Sequence, residues 1–324
     1  MNNITVFSLT SSKELTKEIC RILNIEEGKI SINRFADGEV LVEPQESVRG
    51  KHVFIIQSTC GPVNDHIMEL LICLDAVKRA SCDEVTCVIP YYGYARQDRK
   101  ARARQPITSR LVADLLQAAG ADRVVAVDLH APQIQGYFKI PSDNLTAVDM
   151  IGQYFRKKKM HDVVVVSPDH GGATRARTLA NCLGDCSIAI VDKRRNQPNV
   201  AEAMNLIGDV DGKDCIIVDD LVDTGGSLLG CINMLKAHGA KDIYCAATHG
   251  VFSHGALEKI KNSDIKEFVI TNTIERKPEE IADVENLRVL SVGLLLAKSI
   301  EAVATNKPIS NVYGLFHDEE NTVD

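Results

Sequence analysis

Residues 163–166 are four consecutive valines, bounded by His161 and Asp162 on one side and by Ser167, Pro168 and Asp169 on the other. Successive side chains of a strand point to opposite faces. A strand of four valines is therefore stable only where both faces of its sheet are covered, as in a parallel sheet flanked by helices. Runs of the same kind recur at 53–57, 85–90, 124–128, 188–191 and 215–218, with a further strand expected at 4–9. Between them the apolar period changes from two to about 3.6. Ile67, Leu70, Leu71, Leu74 and Val77 share one face of a helix expected over 64–80. Other helices are expected over 12–23, with Ser11 or Ser12 as cap, over 111–119, ended by Gly120, after Gly172 to Leu183, and up to Ala237. Strand and helix alternate throughout, which predicts an α/β fold of open, mostly parallel sheets.

The chain has 324 residues, enough for about two domains of roughly 150 residues each. Residues 110–130 and 229–249 align without gaps through Leu116/Leu235, Ala118/Ala237, Gly120/Gly239, Ala121/Ala240 and His130/His249. We read this echo as two tandem domains of one fold, 1–145 and 146–324. A composition 45% hydrophobic and 25% charged suits a soluble protein, and the net charge of -7 argues against nucleic acid as partner. No apolar run is long enough to span a membrane. The ten cysteines show no metal-ligand spacing, and the first residues show no secretion-signal pattern. Both features point to reduced thiols in a cytoplasmic protein.

Ligands of open α/β sheets bind beyond the carboxyl ends of the strands. Arg96, His130, Asp169, Lys193 and the run from Asp219 to Ser227 all follow expected strands. Residues 215–229 carry the strongest signal. A buried strand, Cys215 to Val218, is expected to end at the carboxylates Asp219 and Asp220. Asp223, Thr224, Gly225, Gly226 and Ser227 then open a helix. The N–H groups of such a turn and helix start attract phosphate, and the carboxylates accept from sugar hydroxyls. Three carboxylates this close need hydroxyls, a metal or a cation between them. Basic residues cluster at Arg96, Arg99, Lys100, Arg102 and Arg104, in a segment too polar for the core, and at Lys193, Arg194 and Arg195. This chemistry suits phosphoryl-type transfer, in which charge neutralisation and alignment dominate. A hard divalent ion, Mg²⁺, fits it, with Asp169 as a natural ligand and His130 as an outer-shell group. No Walker motif is present, so a nucleotide would be held by the basic loop and by a stacking residue such as Phe35.

The run VDDLVDTGGSL resembles the phosphoribosyl loop of type I phosphoribosyltransferase folds. Together with YYGYARQDRKARARQPIT, DLHAPQIQGYF, VSPDHGGATRAR and DKRRNQPN, it makes the chain similar to the ribose-phosphate diphosphokinase, or phosphoribosyl diphosphate synthetase, family from about Asn33 to Leu315. The resemblance implies two tandem phosphoribosyltransferase-like domains, with the last helix packing back on the first. It implies dimers assembling into a homohexamer, and ATP, ribose 5-phosphate and Mg²⁺ as ligands. The reaction would be in-line transfer of the β,γ-diphosphoryl group of ATP to the C1 hydroxyl of ribose 5-phosphate. Phe35, Asp37, Gly38 and Glu39 match an adenine loop supplied by a neighbouring subunit. Arg96, Gln97, Arg99 and Lys100 match the ATP-facing loop. His130 and Asp169 match metal ligands. Lys193 and Arg195 match the catalytic pair, with Arg195 also facing the sugar. Asp219, Asp220, Asp223, Thr224, Gly225, Gly226 and Ser227 match the ribose-5-phosphate site. Ser47, Arg49 and Ser310 match an allosteric site for phosphate or ADP.

The chain also departs from the family pattern at Asn196-Gln197, at Gly250, at Ser253-His254-Gly255 and over 309–316. The last of these leads us to expect weakened phosphate activation and ADP inhibition. Two other readings share the fold: a phosphoribosyltransferase, and a non-catalytic subunit that regulates an active synthetase. The first leaves the nucleotide-facing residues unexplained. The second is at odds with the presence of His130, Asp169, Lys193 and Arg195.

Overall fold

The computed structural model describes residues 3–158, 160–194 and 203–316. Two compact units divide the chain. One holds residues up to Thr146 together with Thr273–Glu275 and Ser291–Leu315; the other holds Ala147–Asn272, Arg276–Leu290 and Phe316.

The first unit begins with β1 (Ile4–Ser8), α1 (Lys13–Leu23) and a hairpin of β2 (Ile30–Arg34) and β3 (Val40–Pro44). It continues through β4 (His52–Ile56), α2 (Val63–Arg79), β5 (Glu84–Ile89), α3 (Thr108–Ala119), β6 (Arg123–Val127), a 3₁₀ turn (Pro132–Tyr137) and β7 (Ser142–Leu145). The main sheet runs β1-β4-β5-β6-β7, all parallel and in chain order. Val53 to Ile56 are completely buried, as a two-face apolar run requires. On α2, Ile67, Leu70, Leu74 and Val77 are buried, while Leu71 is half-buried at the edge of that stripe.

The second unit contains α4 (Val148–Arg156), β8 (Val164–Ser167), α5 (Ala173–Cys182), β9 (Ser187–Arg194), β10 (Ala203–Ile207), β11 (Cys215–Val222) and α6 (Gly226–Ala237). It goes on through β12 (Ile243–Gly250), α7 (Ala256–Lys261), β13 (Glu267–Thr271), α8 (Pro278–Ile281) and β14 (Leu287–Leu290). The order is β10-β9-β8-β11-β12-β13-β14, parallel except where β10 closes the edge against β9. From β8 the chain steps to β9 on one side, then returns to lay β11 on the other. The valine run thus lies at a topological switch point, where an open α/β sheet forms a crevice at its carboxyl edge. The last helices, α9 (Gly293–Ala304) and α10 (Ser310–Tyr313), belong to the first unit, with α9 packed on α1.

The α/β class and the mostly parallel sheets are those expected from the sequence. Three local expectations need correction. Ser12 sits at the start of α1 but gives it no side-chain cap, because its hydroxyl accepts the N–H of Ser58 instead. Ser11 is likewise turned away, bonding Gln57 and Ser58. The strand containing Asp219 and Asp220 does not end at them. It continues to Val222, because β12 stays paired alongside as far as Gly250. Finally, the front of the basic segment is core: Tyr91, Tyr92 and Ala95 are buried.

Candidate functional site

In the second unit the switch point assembles a charged cluster. Asp219 and Asp220 project from β11, and Arg175 reaches them from the first turn of α5. Its Nη1 stands 3.4 Å from Asp219 Oδ1 and 3.5 Å from Asp220 Oδ1. Asp220 is buried, and its N–H donates to Asp219 Oδ1 at 2.8 Å. Burial, followed by the neighbouring Asp220 carboxylate, pushes the Asp219 carboxyl up to about 8, while Arg175 pulls it down. Among the described residues, Arg175 is thus a cation of the kind the acidic pair demands, and our sequence reading did not single it out. Its signal was available: an arginine in the first turn of the helix that follows the strand beside β11.

Beyond Val222 the backbone turns through Asp223 and Thr224 into Gly225, which has φ +75° and precedes α6. At this position φ, rather than space, calls for glycine, since an added Cβ would meet nothing closer than 3.8 Å. Among the described residues no side chain caps α6, and Gly226 and Ser227 at its start are exposed. An uncapped helix start directs N–H groups and the positive end of the helix dipole outward, which is an anion-binding arrangement. The β12–α7 connection braces the turn. Ser253 bonds Asp223 Oδ1 through its hydroxyl and the Asp223 carbonyl through its N–H, the latter at 3.0 Å. Lys259 Nζ donates to the Thr224 carbonyl at 2.9 Å.

Asp169 is exposed just past β8. Its Oδ1 accepts the N–H of Gly172 at 2.9 Å, which ties it to the start of α5. It thus performs part of a helix-capping role while standing at the crevice. His170 beside it pairs with Asp192 of β9 at 3.0 Å. Lys193 lies in β9 by its backbone; its side chain, and all of Arg195, Asn196 and Gln197, fall outside the described residues.

In the first unit the ATP-facing candidates flank a fixed point. The N–H of Gly93 donates to Thr59 Oγ1 at 2.6 Å, and an added Cβ would lie 2.3 Å from the Thr59 carbonyl, so only glycine fits. Asp98 is buried. Gln133 of the 3₁₀ turn holds its carboxylate at 2.9 Å, and the Tyr137 hydroxyl holds its carbonyl. The YARQD and APQIQGY motifs are therefore one structure. Arg96, Gln97, Arg99 and Lys100 project around it, all exposed. Gln97 is partly structural, since its side-chain oxygen accepts from Thr108 at 2.5 Å. His130 is exposed beyond β6, where the chain turns through Asp128 at φ +41° and Leu129 donates to Asn144 at 2.9 Å.

Phe35, Asp37, Gly38 and Glu39 form the tip of the β2–β3 hairpin. Phe35 is 53% exposed, and Asp37 Oδ1 accepts the N–H of Glu39 at 3.1 Å. Ser47 and Arg49, between β3 and β4, and Ser310, at the start of α10, are exposed on separate elements. Among the described residues no group of three or more His, Cys, Asp or Glu side chains is placed to hold a metal ion.

Residues 4–120 match the family model for the N-terminal domain of ribose phosphate pyrophosphokinase, and residues 187–314 match that for the phosphoribosyl synthetase-associated domain. The ribose-phosphate pyrophosphokinase of Bacillus subtilis (strain 168) is 54% identical over 311 residues, covering 96% of this chain and 97% of that protein. That of Corynebacterium ammoniagenes is 52% identical over 312 residues, covering 96% and 98%. The crystal structure of phosphoribosylpyrophosphate synthetase from Mycobacterium smegmatis superimposes with a TM-score of 0.88 at 41% identity, over 94% of this chain and 99% of that one. On identity and coverage of this extent, the chain belongs to the ribose-phosphate pyrophosphokinase family.

Proposed function

We propose that the protein is an active ribose-phosphate pyrophosphokinase. It transfers the β,γ-diphosphoryl group of ATP to the C1 hydroxyl of ribose 5-phosphate, giving 5-phosphoribosyl 1-diphosphate and AMP. The observation that carries this reading is the switch-point cluster: an acidic pair counterbalanced by Arg175, next to an uncapped helix start behind Gly225. Asp219 and Asp220 accept from the ribose hydroxyls, while the N–H groups over 223–227 receive the 5-phosphate. Arg96, Gln97, Arg99 and Lys100 receive the polyphosphate of ATP. Phe35, Asp37, Gly38 and Glu39 form the adenine loop. Lys193 and Arg195 stabilise charge at the transferring phosphorus.

Mg²⁺ is the cation we assign to the reaction. It takes few protein ligands and completes its shell with water and phosphate oxygens, so the lack of a three-residue cluster among the described residues is compatible with it. Asp169 offers a hard oxygen donor at the β8 edge, and His130 is the second group assigned by family resemblance. When bound, the ion neutralises developing phosphate charge. The reading places the chain in the cytoplasm, where ATP and ribose 5-phosphate are available, and as a homo-oligomer built of dimers. We keep Ser47, Arg49 and Ser310 as an allosteric site with weakened response. Steep activation by phosphate with sigmoidal ADP inhibition would overturn that last assignment.

The test is AMP release from ATP and ribose 5-phosphate, with the other product identified by phosphorus NMR. Release of diphosphate on adding a nucleobase with preformed 5-phosphoribosyl 1-diphosphate, without AMP formation from ATP, would instead indicate a phosphoribosyltransferase. No turnover in either assay would indicate a regulatory subunit.

A further inference from the structure

We infer that Arg276 and Ser253 are positioning residues for the phosphoribosyl loop: Arg276 locks a strained turn whose Ser253 sets the Asp223 carboxylate. The inference rests on the reading of 223–227 as the sugar-phosphate site. The turn links β12 to α7, and within it Phe252 and His254 both adopt left-handed backbone conformations, φ +49° and +51°. Bulky residues hold that conformation only where their surroundings over-determine it. Here they do. The N–H groups of Val251 and Phe252 both donate to the Val222 carbonyl, at 2.9 and 3.1 Å. The Phe252 ring stands edge-on to Phe268 at 5.9 Å and carries the Arg276 guanidinium 5.5 Å from its centroid. Arg276 Nη2 donates to the carbonyls of both Gly250 and Val251.

Gly250 lets this packing close, since a Cβ there would lie 2.8 Å from Phe252 and 2.9 Å from Ile270. The departure from the family pattern at Gly250 therefore has a local reason. The functional end of the turn is Ser253, which holds both the carboxylate and the carbonyl of Asp223. A guanidinium is suited to this task, because one of its nitrogens carries two N–H groups, one for each carbonyl, while its face covers an aromatic ring. Arg276 Nε is buried without a hydrogen-bond partner among the described residues, so the other bonds of this side chain must offset an unpaired N–H. Arg276 itself does not touch the loop; it acts through the turn.

The experiment uses the full chain. Ser253→Ala, Arg276→Gln, Arg276→Lys, the Ser253→Ala/Arg276→Gln double variant and Asp223→Asn are assayed for AMP release, with ribose 5-phosphate and ATP varied in turn. Ser253→Ala and Arg276→Gln are each expected to raise KM for ribose 5-phosphate about tenfold, the order of one hydrogen bond to a charged group. KM for ATP should stay within about twofold, since the brace touches only the sugar-phosphate side. The double variant is expected to be no worse than the more damaged single one, because the two residues act in series. Arg276→Lys, which keeps donors for the two carbonyls, should recover much of the loss. Additive losses, a joint rise in both KM values, or an unchanged KM for ribose 5-phosphate beside a raised one in Asp223→Asn would each overturn the inference. An unchanged KM in Asp223→Asn would overturn the site reading and the inference together. If Arg276→Gln does not fold, as judged by its thermal transition, Ser253→Ala decides alone, because it removes one hydroxyl from a half-buried position.

Discussion

Asp219 shows how a single side chain can couple stability to pH. Its carboxyl is held near pKa 8, first by burial and then by Asp220, against an ordinary value near 4. The sign follows from linkage. The folded protein holds this proton more tightly than the unfolded chain, so stability from this group falls as pH rises from about 4 to about 8. Replacing Asp219 by Asn removes the group from the balance. Thermal transitions recorded from pH 5 to pH 9 are expected to show the natural protein losing ground to Asp219→Asn as pH rises; a constant difference would refute the assignment. At Lys193 the expectation concerns rate. Lys193→Ala should lower kcat at least about 100-fold with little change in KM, since groups that meet developing charge contribute on that order. Near-normal turnover would remove Lys193 from the catalytic role. Asp219, Asp220 and the glycine turn stood out in the sequence because they are contiguous. Arg175 lies 44 positions from Asp219, so no local pattern connects them.

At the scale of elements, α1 is held from a distance. No side chain of its own caps it, and the N–H of Leu15 donates instead to Glu275, 260 residues away, at 2.7 Å. Burial raises the Glu275 carboxyl, while the N–H groups of Leu15, Glu14 and Lys13 pull it back. In return, Glu18 of α1 receives the Ser291 hydroxyl with both carboxylate oxygens, at 2.7 and 2.6 Å, and Ser291 accepts the N–H of Gly293 at the start of α9. The start of α1 thus borrows the Glu275 carboxylate from far along the chain. Removing it by Glu275→Ala should cost about 1 kcal/mol, the usual worth of a cap. Chemical denaturation of the variant checks this, and a loss below a few tenths of that would show that water serves equally well. The existence of α1 was legible from its apolar period, but its cap was not. A cap inferred from sequence assumes a neighbouring side chain, and here Ser11 and Ser12 are committed to Gln57 and Ser58, just past β4. The same reason hid the Arg276 clamp, whose carbonyl partners lie 26 and 25 positions away.

For the molecule as a whole, what the first unit leaves uncovered matters most. Leu111 and Leu115 lie one turn apart on α3, and Met68 lies on α2, which packs against it; all three are exposed. Leu41 and Phe35 add exposed apolar surface on the β2–β3 hairpin. Contiguous exposed apolar surface marks interaction sites, and the contact of α2 with α3 brings Met68, Leu111 and Leu115 onto adjoining elements. The proposed adenine loop includes Phe35, whose exposed ring is open to an adenine or to a protein surface. Both facts fit a loop that works in an assembly rather than alone. The double substitution Leu111→Glu/Leu115→Glu places two charges on that face without altering any proposed ligand contact. Light scattering is expected to show a smaller particle than for the natural protein. AMP release should fall with KM for ATP raised more than KM for ribose 5-phosphate, because the sugar-phosphate loop belongs to the other unit. A particle of unchanged size would mean that these leucines lie outside the interface. A smaller particle with full activity would mean that the adenine loop serves its own subunit.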